Sequence, residues 1–436
     1  MGNEKSDRLA LVKATLRHAV VNTRYYRKAF RDLSLEIESL ENLRRFPLLS
    51  RETLAKYGTD LLSELVAPEY VGITSGTTYG DTNRGPLLHY QTESEHSAWR
   101  DLYASMAEES GHDRPLMLRL TDPDRGVEIA GAFPGCFSLP MENRYHFELI
   151  ISIIRREWSF RGFSKRVISL SGPLELLQLF TLLCMEQHID PAEFGIGLIS
   201  SSGWQITSRW RDLLEHYWCA EVQDVYGLSE APGMFATRCL HCWNYHFSPL
   251  SVVEILHLDH DAPVTAGVGR VVVTCLLPIA HSQPIIRYDT DDVIEIAGEC
   301  ITHSLGFKYL GRRSKLVILN GPNGPSPVLS PLIVTEVLDS LPDVGIYENA
   351  KAARVGLRVA FGWPRYRLSH QVEQSGIRVD LTVELRWSPL QYRDSGKELQ
   401  NLLIRKLFDA SPELLVAVNR GDVCVNLELV EPGTMT

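Results

Sequence analysis

The chain has 436 residues, of which 44% are hydrophobic and 22% charged, an ordinary globular composition with room for two or three domains. A net charge of −10 and a pI near 5.8 argue against a broad nucleic-acid-binding face, and no apolar run of about eighteen residues exists to span a membrane. The charged N-terminus lacks a signal-peptide core, so a cytoplasmic location is expected, and eight cysteines in so long a chain do not form a disulfide framework.

Residues 6–60 read as helical, because Leu9, Leu11, Val12, Leu16, Val20 and Val21 recur near the helical period until Pro47 interrupts. Tyr70-Val71-Gly72-Ile73 is a short apolar run with strand character. It leads into Thr74-Ser75-Gly76-Thr77-Thr78-Tyr79-Gly80, whose small residues build neither core nor helix. Their amides and hydroxyls suit a phosphate chain, and glycine allows close approach; the alternative is an ordinary polar turn. From 70 to about 310, β-rich runs alternate with helical ones. Residues 167–170 and 195–199 read as buried strands with a helix at 174–180 between them, which predicts a parallel sheet covered by helices. Residues 252–258 and 269–277 read as strands of a more β-rich part. Gly321-Pro322-Asn323-Gly324-Pro325 reads as a hinge or linker loop. Beyond it, 379–385 alternates with period two, 398–408 is helical and 422–430 alternates again. The expected fold class is α/β: a large N-terminal domain over 1–311 with a helical start at 1–60, and a small mobile α+β cap over 312–436.

Four segments join the Gly/Ser/Thr loop. Residues 199–204 end a strand in Ser200-Ser201-Ser202-Gly203-Trp204. Asp224-Val225-Tyr226-Gly227-Leu228-Ser229-Glu230 groups an aromatic, a glycine, a hydroxyl and a carboxylate. Residues 284–292 run into Arg287-Tyr288-Asp289-Thr290-Asp291-Asp292, and Tyr309-Leu310-Gly311-Arg312-Arg313 precedes the cap. A nucleotide site needs such parts: a face for the base, an acceptor for ribose hydroxyls, a hydroxyl and amide cradle, and a carboxylate for magnesium.

In this order the segments resemble those of the adenylate-forming superfamily, and specifically its phenylacetate–CoA ligase-like branch. The likeness runs nearly end to end, from Tyr25-Tyr26-Arg27 and the Phe46-Pro47-Leu48-Leu49-Ser50 run onward. It implies ATP bound between a large and a small domain, and attack of a carboxylate on the α-phosphate to form an acyl adenylate. Thr74, Ser75, Gly76, Thr77 and Thr78 would then contact phosphates, and Gly203 would lie against adenine, flanked by Tyr226 and Gly227. Glu230 would bind magnesium beside Ser229, and Asp292 and Arg312 would take the ribose hydroxyls. Tyr226 as a core aromatic and Asp292 as a turn carboxylate are the plainer readings. An acid pocket is expected between 131–137 and 202–227, with Phe133, Phe137 and Trp204 as walls.

Three departures from the family pattern stand out. Tyr79 and Asp81 replace the usual continuation of the phosphate loop, with Arg84 the nearest cation. Gly311-Arg312-Arg313-Ser314-Lys315 lacks the acidic hinge residues, leaving a rotation about Ser314 as an expectation. Third, after 427–433 the family carries a tail with an adenylating lysine, and here Thr434-Met435-Thr436 follows, so the cap is expected to be truncated. Lys397, in Ser395-Gly396-Lys397, is the candidate substitute, against the plainer reading of a solvated helix residue.

Cys239, Cys242, His246, Cys300 and His303 have the residue types of a structural zinc site, with Cys239, His246, Cys300 and either Cys242 or His303 as ligands; reduced core thiols and surface histidines are the alternative. Cys136, Cys184, Cys219, Cys275 and Cys424 are expected to be core thiols. The expected activity is ATP-dependent adenylation of a small, aromatic carboxylic acid, with transfer to CoA, a carrier protein or an amine. The alternative is an impaired adenylating homologue that uses a preformed acyl adenylate or serves as a nucleotide-binding partner. No nucleic-acid or membrane partner is expected, and a homodimer is left open.

Overall fold

The structure is a computed structural model that describes residues 2–74, 87–95, 97, 114–122, 135–231, 235–239, 241–300, 305–321, 324–374 and 376–435. The helical start is present as α1 (Gly2–Asn22), α2 (Arg24–Ala29), a 3-10 turn over Leu40–Arg45 and α3 (Arg51–Tyr57). Thr23 caps α2 and Ser50 caps α3 through their hydroxyls, each accepting from an amide one turn in. Val12, Leu16, Tyr26, Phe46 and Leu49 are buried against the antiparallel half of the main sheet.

A hairpin of β1 (Tyr70–Thr74) and β2 (Leu87–Gln91) stands apart from that sheet, with Thr74 paired to Leu87. The parallel half contains β3 (Arg114–Thr121), β4 (Cys136–Pro140), β5 (Phe163–Pro173), β6 (Leu198–Ser202) and β7 (Glu221–Gly227). Its helices are α4 (Arg144–Arg155), α5 (Leu174–Glu186) and α6 (Ser208–Trp218). The antiparallel half continues with β8 (Phe235–Arg238), β9 (Tyr245–Phe247), β10 (Ser251–Leu256), β11 (Gly267–Cys275), β12 (Tyr288–Gly298) and β13 (Gly306–Arg312). Among the described residues these form one eleven-stranded sheet in the order β10-β11-β12-β13-β9-β8-β7-β6-β5-β3-β4. Strand direction reverses at β7, which pairs in parallel with β6 and antiparallel with β8. At that reversal Ser202 at the end of β6 lies between Pro173 and Val225, and Gly227 at the end of β7 pairs with Phe235 of β8.

Two parts of the cap differ from the sequence reading. The expected hinge or linker loop at 321–325 is flanked by paired strands: β14 (Val317–Gly321) and β15 (Gly324–Leu329) run antiparallel, with Gly321 opposite Gly324. Pro322 and Asn323 lie outside the described residues. The unit also holds more than the expected strand–helix–strand. After α7 (Pro331–Asp339) come β16 (Ile346–Glu348), α8 (Ala350–Val355) and β17 (Gly362–Pro364). A three-stranded sheet of β18 (Tyr366–Glu373), β19 (Gly376–Glu384) and β20 (Val423–Val430) follows, backed by α9 (Arg393–Ala410) and α10 (Pro412–Arg420). β19 and β20 run parallel, so their connection has to cross over, and α9 and α10 supply it. No helix among the described residues is long and apolar enough to cross a membrane.

Candidate active site

The end of β6 and the end of β7 lie side by side. Gly203 follows β6 at φ +85 and is exposed, a backbone shape that suits glycine and leaves a bare peptide face for a flat ring. After β7, Gly227 and Ser229 are exposed while Glu230 is buried, at 6% exposure.

The best-defined group is a carboxylate held by two phenols. Tyr226 at the end of β7 donates its hydroxyl to Asp292 Oδ2 at 2.6 Å, and Tyr309 of β13 donates to Oδ1 at 2.9 Å. The two rings are 5.0 Å apart, and Arg312 Nε lies 3.9 Å from the same carboxylate. Burial pushes Asp292 up to about 6, against the opposing pull of the two phenols and Arg312. Burial, then the neighbouring carboxylate, pushes both phenols well above the usual tyrosine range, so both stay donors. A carboxylate has about four lone-pair positions. Two go to the tyrosines, which leaves acceptor capacity for vicinal hydroxyls such as those of a ribose.

The turn that carries Asp292 has two non-glycine residues in the left-handed region, Arg287 at φ +51 and Asp291 at φ +63. Arg287 is fully buried and holds this shape with its guanidinium, donating to Glu254 at 2.9 Å, Asp261 at 2.8 Å and the Phe46 carbonyl at 2.6 Å. The same turn fastens the N-terminal region: the Leu49 amide donates to the Arg287 carbonyl, and the Asp289 amide donates to the Leu49 carbonyl, both at 2.9 Å. Two residues on, Arg51 reaches Glu230 at 2.7 Å. The carboxylate to which the family resemblance gives magnesium is therefore paired with a guanidinium. Buried His89 of β2 is close to both charges; burial lowers its ring toward neutral, Glu230 opposes this and Arg51 adds to it. Below the site, Asp224 accepts from Tyr245 Oη at 2.7 Å and Ser201 Oγ at 3.3 Å, which ties β6, β7 and β9 together.

Cys239, Cys242, His246 and Cys300 come together with all their ligand atoms within 4.8 Å of one another. Cys239 and Cys300 Sγ are 4.0 Å apart, and Cys242 Sγ is 3.2 Å from His246 Nε2. A tetrahedral zinc with Zn–S near 2.3 Å requires S···S of about 3.8 Å, so this set fits. The His246 Nδ1–H donates to the Leu305 carbonyl at 2.8 Å, which fixes the tautomer and turns Nε2 toward the sulfurs, as an outer partner of a metal-bound histidine does.

Of the other expected site residues, Thr74 is the last of β1, while Ser75, Gly76, Thr77 and Thr78 lie outside the described residues, as do Phe133 and His303. The β1–β2 pairing nevertheless fixes both roots of that loop. Lys397 is exposed near the start of α9, whose Leu399, Leu403 and Leu407 pack within the cap. Phe137 is in edge strand β4, three strands from β6, and its ring packs on Trp158 at 4.7 Å. At about 4.8 Å per strand, that separates it from Trp204 by roughly 14 Å across the sheet. Trp204 instead meets Trp363 of β17 at 5.3 Å. Two of the other cysteines depart from the expectation of core thiols: Cys184 and Cys275 are buried, but Cys219 and Cys424 are exposed. Arg51 and the partnership of Tyr309 with Asp292 were not foreseen. The signal for Tyr309 was its place just before Gly311-Arg312; for Arg51 none exists beyond the Ser50 cap.

No protein-family model matches the chain. Among curated proteins it is similar to a phenylacetate-coenzyme A ligase of Aromatoleum evansii, at 26% identity over 407 residues, 87% of this chain and 81% of that protein. Among solved structures, an open conformation of 2-hydroxyisobutyryl-CoA ligase with 2-HIB-AMP and CoA matches with a TM-score of 0.66 at 14% identity, over 99% of this chain and 89% of that one. The GH3.15 acyl acid amido synthetase matches with a TM-score of 0.58 at 13% identity, over 99% and 87%. The chain thus has the two-part fold of adenylate-forming enzymes. Its sequence similarity is to the phenylacetate-coenzyme A ligase.

Proposed function

We propose that this protein is an adenylate-forming ligase that activates a small carboxylic acid with ATP and passes the acyl group to CoA, a carrier protein or an amine. The observation that carries the reading is the Tyr226–Asp292–Tyr309 group beside Gly203 and Glu230, at the reversal of strand direction in the sheet. Asp292 and Arg312 would hold the ribose, Gly203, Tyr226 and Gly227 the base, and Thr74, Ser75, Gly76, Thr77 and Thr78 the phosphates, with Ser229 beside the α-phosphate. The acid's carboxylate oxygen attacks the α-phosphorus, and the bond to the β-phosphate oxygen breaks to release pyrophosphate. The acceptor's thiolate or amine then attacks the acyl carbon, and AMP leaves. Magnesium, when bound, would neutralise phosphate charge, and Glu230 would hold it by exchanging its Arg51 partner, now 2.7 Å away, for the ion. Trp204 and Trp363 make an aromatic wall near the Gly203 segment, which supports an aryl acid.

A structural zinc held by Cys239, Cys242, His246 and Cys300 belongs to the same proposal. It would tie the β8–β9 connection to Cys300, which follows β12.

The test is pyrophosphate release measured with aryl and alkyl acids, with and without CoA. Acid-dependent release supports adenylation, and acceleration by CoA supports thioester formation. No release with any acid, from protein that still binds AMP, removes the first half-reaction. The second reading, a homologue impaired in adenylation, draws on the Arg51–Glu230 pair, which occupies the candidate magnesium carboxylate. It predicts that a supplied acyl adenylate is consumed faster than ATP. Lys397→Ala separates a catalytic lysine from a solvated one: a loss of about a hundredfold or more in adenylation marks a catalytic charge, and an effect under twofold, which we expect, marks a surface residue.

A further inference from the structure

The cap is joined to the large domain at the hinge and again at a second place. At the hinge, Gly311 has φ +119, and the 3-10 turn of Arg313–Lys315 is held by the large domain's own acidic turn. Ser314 Oγ donates to Asp291 at 2.5 Å, and Arg313 Nε is 3.4 Å from Asp291. The second junction is an excursion of the chain over residues 349–361. Its neck is the β16–β17 hairpin, in which Tyr347 pairs with Trp363 and Glu348 with Gly362. The neck is tight: a Cβ on Gly362 would come within 1.7 Å of the Tyr347 carbonyl oxygen, so only glycine fits.

The excursion does not fold back on its own domain. Ala352, Val355, Leu357 and Phe361 are all at most 8% exposed, and they are buried in the core of the parallel half of the large domain. Nineteen other buried apolar residues beyond 316, from Val317 to Leu427, form a separate cluster of the cap. Phe361 meets Trp210 of α6 at 6.2 Å. Polar contacts surround this seat. Lys351 pairs with buried Asp122 at the end of β3, and the amide and Nε of Arg358 donate to Glu186 of α5 at 2.8 and 3.1 Å. Beside it, Glu336 of α7 accepts from the Ser208 amide at the start of α6, and Asp339 accepts from Thr207 at 2.7 Å. A cavity of about 430 Å³ has walls from both domains, including Leu213, Tyr217, Leu341 and Phe361, and so exists only in this docked arrangement.

We propose that residues 349–361 are a strap that latches the cap to the large domain in one orientation. The cap cannot turn about Ser314 unless the strap leaves its seat, because a rigid rotation would drag four buried apolar side chains into water. The hinge alone therefore does not control cap movement in this chain. This inference concerns the fold and does not depend on which acid or acceptor the site takes.

The test uses two cysteines that are already exposed, Cys219 at the end of α6 and Cys424 in β20. Spin labels on this pair, with labelling sites confirmed by peptide mass, report the distance between the domains in the ligand-free full chain. A single narrow distance distribution is expected, and Phe361→Ala should broaden it at least twofold while the chain stays folded. A broad or multiple distribution in the unaltered chain overturns the latch. So does a Phe361→Ala protein that is folded and just as narrow. If Phe361→Ala does not fold, Leu357→Ala gives the same comparison with a smaller side chain removed. Because no ligand is added, a failed pyrophosphate assay and a failed latch give separate signatures.

Discussion

Glu230, the proposed magnesium ligand, is tied to Arg51 in a mostly buried ion pair. Glu230 is 6% exposed, and the Arg51 side chain is 21% exposed. Removing one partner of a fully buried pair costs about 3–5 kcal/mol, and part of that penalty is lost when one partner reaches water. Arg51→Ala should therefore lower stability by about 2 kcal/mol in a denaturant titration. Glu230→Gln should weaken magnesium-dependent ATP binding at least tenfold while AMP affinity changes little, measured by calorimetry with and without metal; equal losses of both would remove its assigned role. Asp292 gives a pH dependence. Its folded value of about 6 lies above its ordinary 3.8, because burial opposes the charge. A raised acid favours the folded state most at low pH, and this contribution falls away as pH rises from about 4 to about 6. Ribose binding runs the other way, because hydroxyls donate best to the ionised form. AMP affinity should rise through pH 6 and level off, and Asp292→Asn should remove that step.

At the scale of elements, the metal cluster joins pieces that lie far apart in the chain. Cys239, Cys242 and His246 frame β8 and β9, and Cys300 follows β12. β9 and β13 share only the Phe307–Tyr245 pair, a short ladder for a sheet of this width. A zinc there would supply the cross-link that the ladder lacks. Metal analysis of gently purified protein should find about one zinc per chain. Cys300→Ser should lower the melting temperature by several degrees and leave AMP affinity nearly unchanged. Metal-free protein with all three thiols titratable would show that the cluster is only a set of reduced cysteines.

At the scale of the molecule, the docking of cap and large domain rests on two kinds of contact of unequal weight. Arg209 and Arg358 pair with Asp339 and Glu186, but both arginines are more than half exposed. Such pairs contribute about 0–1 kcal/mol each. Phe361 is 5% exposed in the large domain's core, and truncating a buried phenylalanine costs about 3–5 kcal/mol. Arg209→Ala should thus lower unfolding stability by less than about 1 kcal/mol, and Phe361→Ala by several times that. If the two variants are equally destabilised, the charged contacts carry the docking.

The order of the elements was legible along the chain because each rests on local physics. The alternation of β19 follows from side-chain period, while the helix at Leu174–Glu186 and the strands on either side of it read from apolar runs of different length. The segments at Gly203, Tyr226–Glu230, Asp292 and Arg312 could be read from the sequence as candidate site residues, as could the Cys and His set. The tertiary structure alone decided who meets whom. Arg51 reaches Glu230 across 179 positions, Tyr309 joins Tyr226 on Asp292, and Cys242 completes the described cluster. It also paired the strands that flank residues 322–323 and sent 349–361 into the other domain's core. Periodicity reports which face of an element is apolar, and a short apolar stretch carries no mark of which core will bury it.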